Sequence, residues 1–140
     1  EKLAEKVSKG SVLEVLNVDV VGLRFRGTGK EVSTRSAKKV RKLRICFTIG
    51  ANMISDSEEK VVFMQLINDS GALIEGENDI KVNIADATFS CTDSSSFNYE
   101  NIEMDYCFDW ERIQQLKSGK YLLNLIIEGR IAGQKTLKFK

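Results

Sequence analysis

The chain contains no proline and no histidine. Without histidine there is no imidazole general base, no Ser-His or Cys-His nucleophile pair, and none of the commonest metal ligand, so the usual hydrolases and most zinc sites are excluded. Average usage would give roughly seven prolines in a chain of this length, and their absence excludes a Pro-rich linker or an extended polyproline ligand. No run of 18 apolar residues is present to span a bilayer, and no charged segment followed by an apolar one marks a signal peptide. Cysteine is scarce: Cys46, Cys91 and Cys107 lack CxxC or CxxH spacing, which signals neither a disulfide framework nor a zinc site. Free thiols are expected. What remains is ordinary for one folded domain: 140 residues, 42% hydrophobic and 29% charged.

The formal net charge of +1 conceals a lopsided distribution. Residues 1–44 carry +7, residues 45–111 carry −12, and residues 112–140 carry +6. Between Glu31 and Asp56 no acid interrupts Arg35, Lys38, Lys39, Arg41, Lys42 and Arg44, the densest basic run. Local charge of this kind governs partners more than the total does.

Residues 1–9 (EKLAEKVSK) have helical spacing, with Leu3 and Val7 one turn apart and Glu5 and Lys9 an i,i+4 pair, and Gly10 ends the pattern. Two turns are marginal alone in water, so this stub reads either as the end of a longer helix or coiled coil, or as a short helix docked on the domain. Beyond it the period is two. Leu16, Val18 and Val20 alternate with polar residues, and the phase slips at Val20-Val21 before Val21, Leu23 and Phe25 continue, which predicts a bulge or a sheet switch in the first strand. Residues 40–49 (VRKLRICFTI) are the clearest strand, with Leu43, Ile45, Phe47 and Ile49 inward. Residues 60–67 (KVVFMQLI) are apolar on both faces, as in a strand covered on both sides. Asn68-Asp69-Ser70-Gly71 is a turn. Further strands are expected at 72–74, 80–84, 97–110, 120–128 and 131–139, with 86–96 a strand end and polar loop, one helical turn at 111–117, and a hairpin at Gly129-Arg130. The expected fold is all-β, an immunoglobulin-like antiparallel β-sandwich of 7–9 strands over residues 11–140.

The outward face of the 40–49 strand is basic (Lys42, Arg44), whereas that of the 97–110 strand is acidic (Glu103, Asp105, Asp109). Opposite charges on facing strands stabilise the pair, so these strands are expected to be antiparallel neighbours, with Cys46 and Cys107 sharing the solvent face.

No catalytic residue or metal ligand is nominated, and no cofactor is expected. Glu103, Asp105 and Asp109 read as an ion-paired sheet face rather than glycosidase acids. Gly27-Thr28-Gly29-Lys30 lacks the spacing and following helix of a phosphate loop. The acidic turns at 56–59 and 93–96 lack regular calcium spacing. Two binding readings are left. Phe97 and Tyr99 flank the serine-rich stretch as the candidate exposed pair for a carbohydrate or peptide. Arg35, Lys38, Lys39 and Arg41 are candidate anion contacts, although with Phe47 buried by alternation they lack the aromatic partners of single-strand binders, and nucleic acid is not the expected partner.

The segments KKVRKLRICFTIGAN, KVVFMQLINDSGALIEG and LKSGKYLLNLIIEGRIAGQKTLKFK together resemble the C-terminal Ig-like β-sandwich domain of bacterial coiled-coil envelope proteins, some labelled chromosome segregation or partition proteins. The resemblance runs from Gly10 to the end, with residues 1–9 matching the coiled-coil exit. It implies a fragment of a longer, membrane-anchored protein of the cell envelope or periplasm. The domain would be a non-catalytic interaction or structural module, with a protein partner or self-association through the upstream helix.

Overall fold

The computed structural model describes residues 13–52 and 56–140. The 1–10 stub lies outside the described residues. Among those described there are ten strands and no helix: β1 (Val15–Phe25), β2 (Glu31–Ser33), β3 (Lys42–Ile49), β4 (Glu58–Asn68), β5 (Ile80–Ile84), β6 (Ala87–Cys91), β7 (Asp93–Tyr99), β8 (Met104–Glu111), β9 (Gly119–Ile127) and β10 (Arg130–Phe139). All pairings are antiparallel. One sheet has the order β2-β1-β3-β8, a second has β10-β9-β4-β7, and β5 and β6 form a separate ribbon.

The two four-stranded sheets bury the alternating residues that the sequence marks. Leu43, Ile45 and Ile49 of β3 meet Val62, Met64 and Leu66 of β4, all fully buried, in one core cluster. Each such side chain contributes about 1.5–3 kcal/mol by leaving water. The two-sided apolarity of β4 is explained by the ribbon. Val82 and Cys91 lie over the outer face of the second sheet, where Ile126 is fully buried and Phe63, Ile80 and Ile84 pack around it. The ribbon turns at Ala85 and Asp86, with φ of 48° and 67°, the left-handed pair a two-residue hairpin uses. Polar groups under and beside it are linked: Gln65 donates to the Ser90 carbonyl at 3.0 Å, Asn124 donates to Gln65 at 3.2 Å, and Gln134 donates to Asn124 at 2.8 Å.

Several local expectations are corrected. The irregularity in β1 falls between Leu16 and Asp19, where Asn17 has φ of 53°, rather than at Val20-Val21. After it the alternation is unbroken, so Val21, Leu23 and Phe25 point away from the core on the same face as their register partners Arg44, Lys42 and Glu31. Residues 97–110 are two strands in different sheets, β7 and β8, separated by a turn with Asn101 at φ 65°. Serines 94–96, expected in a loop, are strand residues of β7, and β6 forms where a polar loop was expected. No helical turn forms at 111–117. β8 extends through Glu111, and the Lys117 N–H that a helical turn would use is given to the Tyr121 hydroxyl at 3.1 Å. The β9–β10 turn is Glu128-Gly129, φ 53° and 76°, one residue earlier than expected. The Asn68 turn forms as read: its side-chain oxygen accepts from the N–H groups of Ser70 and Ala72 at 3.0 and 2.9 Å, and Gly71 has φ of 87°.

Candidate functional site

The pairing expected from charge is present. β3 and β8 are antiparallel neighbours, with Lys42 opposite Glu111, Arg44 opposite Asp109 and Thr48 opposite Asp105. Asp109 accepts Arg44 Nε at 2.9 Å and Nη2 at 3.0 Å, together with Lys42 Nζ at 2.9 Å. Glu31 reaches the same two bases from β2, contacting Lys42 Nζ directly and Arg44 Nη2 at 3.2 Å. The Thr48 hydroxyl donates to Asp105 at 2.7 Å. Hydrogen bonding to Lys42 holds the Glu31 carboxyl below its ordinary pKa, and Arg44 does the same for Asp109. Lys42 is raised, first by Glu31 and then by Asp109, and Arg44 is raised, first by Asp109.

Cys46 and Cys107 are register partners on this outer face and form a disulfide across β3 and β8. The expectation of free thiols is thereby corrected for two of the three. Neither CxxC spacing nor sequence proximity signalled the bridge, because the cysteines are 61 residues apart and only the strand register brings them together. Cys91 remains free, buried between the ribbon to which it belongs and the second sheet, and burial raises its thiol pKa.

The two nominated groups of site residues fare differently. Phe97 and Tyr99 are core residues, 4% and 1% exposed, and offer no exposed aromatic platform. Tyr99 donates its hydroxyl to the Gly50 carbonyl at 2.9 Å, and Phe97 lies 5.4 Å from the Tyr106 ring. The basic run divides at the start of β3. Lys42 and Arg44 are held in the ion network, whereas Arg35, Lys38, Lys39 and Arg41 are exposed and form no ion pair among the described residues.

These four bases sit at the end of the sandwich where β1, β8 and β10 finish and β2 and β3 begin. The fold brings further bases to them. Arg26 N–H donates to the Lys30 carbonyl at 2.9 Å, closing the β1–β2 turn. Lys140 donates to the Arg35 carbonyl at 2.7 Å and accepts from Ala37 at 2.8 Å, tying the last residue to the 34–41 loop. Arg112 donates through its backbone to the Arg41 carbonyl and through Nε to Val40 at 2.6 Å. Bases from residues 26–41 and from residues 112–140 therefore meet at one end. Acids also reach this end: Asp69 and Glu75 line a cleft with Ile113, Lys117 and Lys120, and Glu111 flanks Arg112. Glu111 lines another cleft of about 300 Å³ with Phe25, Arg41 and Arg112, and a third of about 650 Å³ runs along the seam between β1 and β10, bordered by Arg35, Lys138 and Lys140. Sequence reading missed Phe25, which is 46% exposed because it lies on the outer face of β1. The opposite end, where β4 and β8 begin, carries Asp56, Glu58, Glu59, Glu100 and Glu103, all exposed.

Residues 16–140 match the family described as Domain of unknown function (DUF8428). The chain belongs to that family. No curated protein matches its sequence. A solved structure similar to it is the Pseudomonas fluorescens alkylpurine DNA glycosylase AlkC bound to DNA containing an abasic site analog, at 10% identity and a TM-score of 0.49. The alignment covers 99% of this chain and 33% of the glycosylase, so the chain spans about a third of that structure. The expectation that the chain is no enzyme is not carried further: the aligned structure is an enzyme, and that activity is the glycosylase's own.

Proposed function

We infer that the chain is an immunoglobulin-like interaction module of a larger bacterial cell-envelope protein. The immunoglobulin-like reading is supported by strand order. β1, β3 and β8 correspond to strands A, B and E of one sheet, and β10, β9 and β4 correspond to G, F and C of the other. The start of β1 also approaches β10, where a Cβ on Gly133 would lie 2.9 Å from Val15, as when a first strand bridges both sheets.

The observation that carries the compartment is the Cys46–Cys107 bridge on an exposed face. Disulfides persist in oxidising compartments such as the periplasm and are kept reduced in the cytosol. Maleimide labelling of the protein in intact cells tests the reading. Cys46 and Cys107 should resist modification until a reductant is added, and Cys91 should react only on unfolding. Free labelling of Cys46 and Cys107 in unreduced cells would exclude the envelope assignment. The resemblance to coiled-coil envelope proteins supplies the second half of the proposal, self-association through an upstream helix. A monomer in light scattering of a chain that includes the upstream segment would remove that half.

A further inference from the structure

The basic end has charge that the protein does not use internally. Arg26, Lys30, Arg35, Lys38, Lys39, Arg41, Lys138 and Lys140 are all exposed, and none forms an ion pair among the described residues. On the neighbouring β3–β8 face, by contrast, Lys42 and Arg44 are both paired, with Glu31 and Asp109. Two large apolar side chains project at this end: Phe25, 46% exposed between Arg24 and Arg26, and Ile113, 55% exposed next to Arg112, where its cleft is lined by Asp69 and Glu75 as well as Lys117 and Lys120. The bases sit on loop tips and just beyond β10, not along a helix or ribbon that would enter a DNA groove. Phe25 is the one exposed large aromatic at this end, and Lys42 Nζ already lies 5.7 Å from its ring centroid, so there is no row of stacking platforms for single-stranded nucleic acid. Basic tips with a few apolar side chains suit a flat anionic surface, where the charges meet headgroups and the apolar groups enter the interface.

We propose that this end of the sandwich docks on an anionic phospholipid surface, with Arg35, Lys38, Lys39, Arg41 and Lys140 meeting headgroup phosphates and Phe25 and Ile113 at the interface. The site does not depend on the envelope reading: a chain that binds vesicles but has reduced cysteines in cells keeps this site and loses that compartment.

Cosedimentation of the full chain with mixed phosphatidylglycerol–phosphatidylcholine vesicles, against phosphatidylcholine alone, is the test. Binding is expected only to the anionic vesicles, weakening as salt shortens the screening length from ~10 Å at 0.1 M to ~3 Å at 1 M. Each base near such a surface is worth about fivefold in partition, so Lys38→Gln with Lys39→Gln should lower binding roughly twenty-fold. Ile113→Ser should lower it by up to about tenfold, and in a way that salt does not mimic. Glu58→Gln with Glu59→Gln, at the opposite end, should leave it unchanged. A rise in that pair as large as the loss in the lysine pair would mean that net charge, not this end, governs binding, and would overturn the proposal. So would equal binding to neutral vesicles, or binding of a single-stranded DNA oligonucleotide without vesicle binding, which would assign the basic end to nucleic acid.

Discussion

The two sheets bury similar inner faces but treat their outer faces in opposite ways. On the first sheet the outer face is open to water and is organised by Glu31, Lys42, Arg44 and Asp109, with the Cys46–Cys107 bridge beside them. On the second the outer face is covered by the β5–β6 ribbon, so Ile126 is as buried as any core residue and Gln65 and Asn124 must find partners in each other. The comparison teaches where stability resides. Half-exposed ion pairs contribute little because water screens them and ordering two long side chains costs entropy. Apolar burial and satisfied buried amides contribute more, since their loss leaves a cavity or an unpaired dipole.

Replacing Ile126 by Ala tests the covered face, and should cost about 2–5 kcal/mol in urea unfolding, the range of core truncations. A loss below ~1 kcal/mol would mean that the ribbon does not seal that face. The bridge is the exception on the open face. Opening a link between residues 61 apart in sequence, by Cys46→Ser with Cys107→Ser, should cost about 2–4 kcal/mol through the freed unfolded chain. Asn124→Ala removes the middle of the amide chain and strands Gln65 and Gln134, for about 1–3 kcal/mol. If this loss is smaller than that of Asp109→Asn, the contrast between the faces fails.

Asp109→Asn is the smallest expected effect, below ~1 kcal/mol at neutral pH. Its pH dependence has a definite sign. The folded pKa of Asp109 and of Glu31 is depressed, so their contribution is present above the unfolded carboxylate value near 4 and is lost as pH falls through the folded value. Lys42 is raised, so its contribution is present below the unfolded lysine value near 10.4 and is lost as pH rises through the folded one. The network is therefore intact across the neutral range, and the acid-side loss of stability should be shallower in the Asp109→Asn chain than in the wild type. Parallel acid titrations followed by circular dichroism check this, and identical slopes would show that Asp109 does not titrate with folding.

Sequence reading recovered the pieces whose cause is local or pairwise. Alternation identified the inward sides of β3 and β8, the Asn68 turn followed from its own side chain, and opposite charges paired β3 with β8. It failed where the partner was remote. Leu23 and Phe25 look like core residues by pattern, yet they lie outward, Leu23 buried there and Phe25 exposed. Serines 94–96 look like a loop but form β7, whose backbone donors and acceptors are met by β4. Phe97 and Tyr99 looked like a ligand platform and are core, for the same reason: β7 turns its alternate residues into the sandwich.

The candidate site was half legible. Arg35, Lys38, Lys39 and Arg41 stood out as an uninterrupted basic run, but Lys138 and Lys140 lie about a hundred residues away and join them through the backbone pairing of Lys140 with Arg35 and Ala37.

By itself the sequence determined an all-β chain, a strand at β4 apolar on both faces, and a β3–β8 pair matched by charge, because alternation is read along a single strand and opposite charges on two outward faces can be matched before the fold is known. Only the tertiary structure decided the disulfide, what covers the second sheet, and the gathering of bases from remote segments at one end. Each depends on strand register and on which ends meet, and those are fixed by long-range closure of the sandwich.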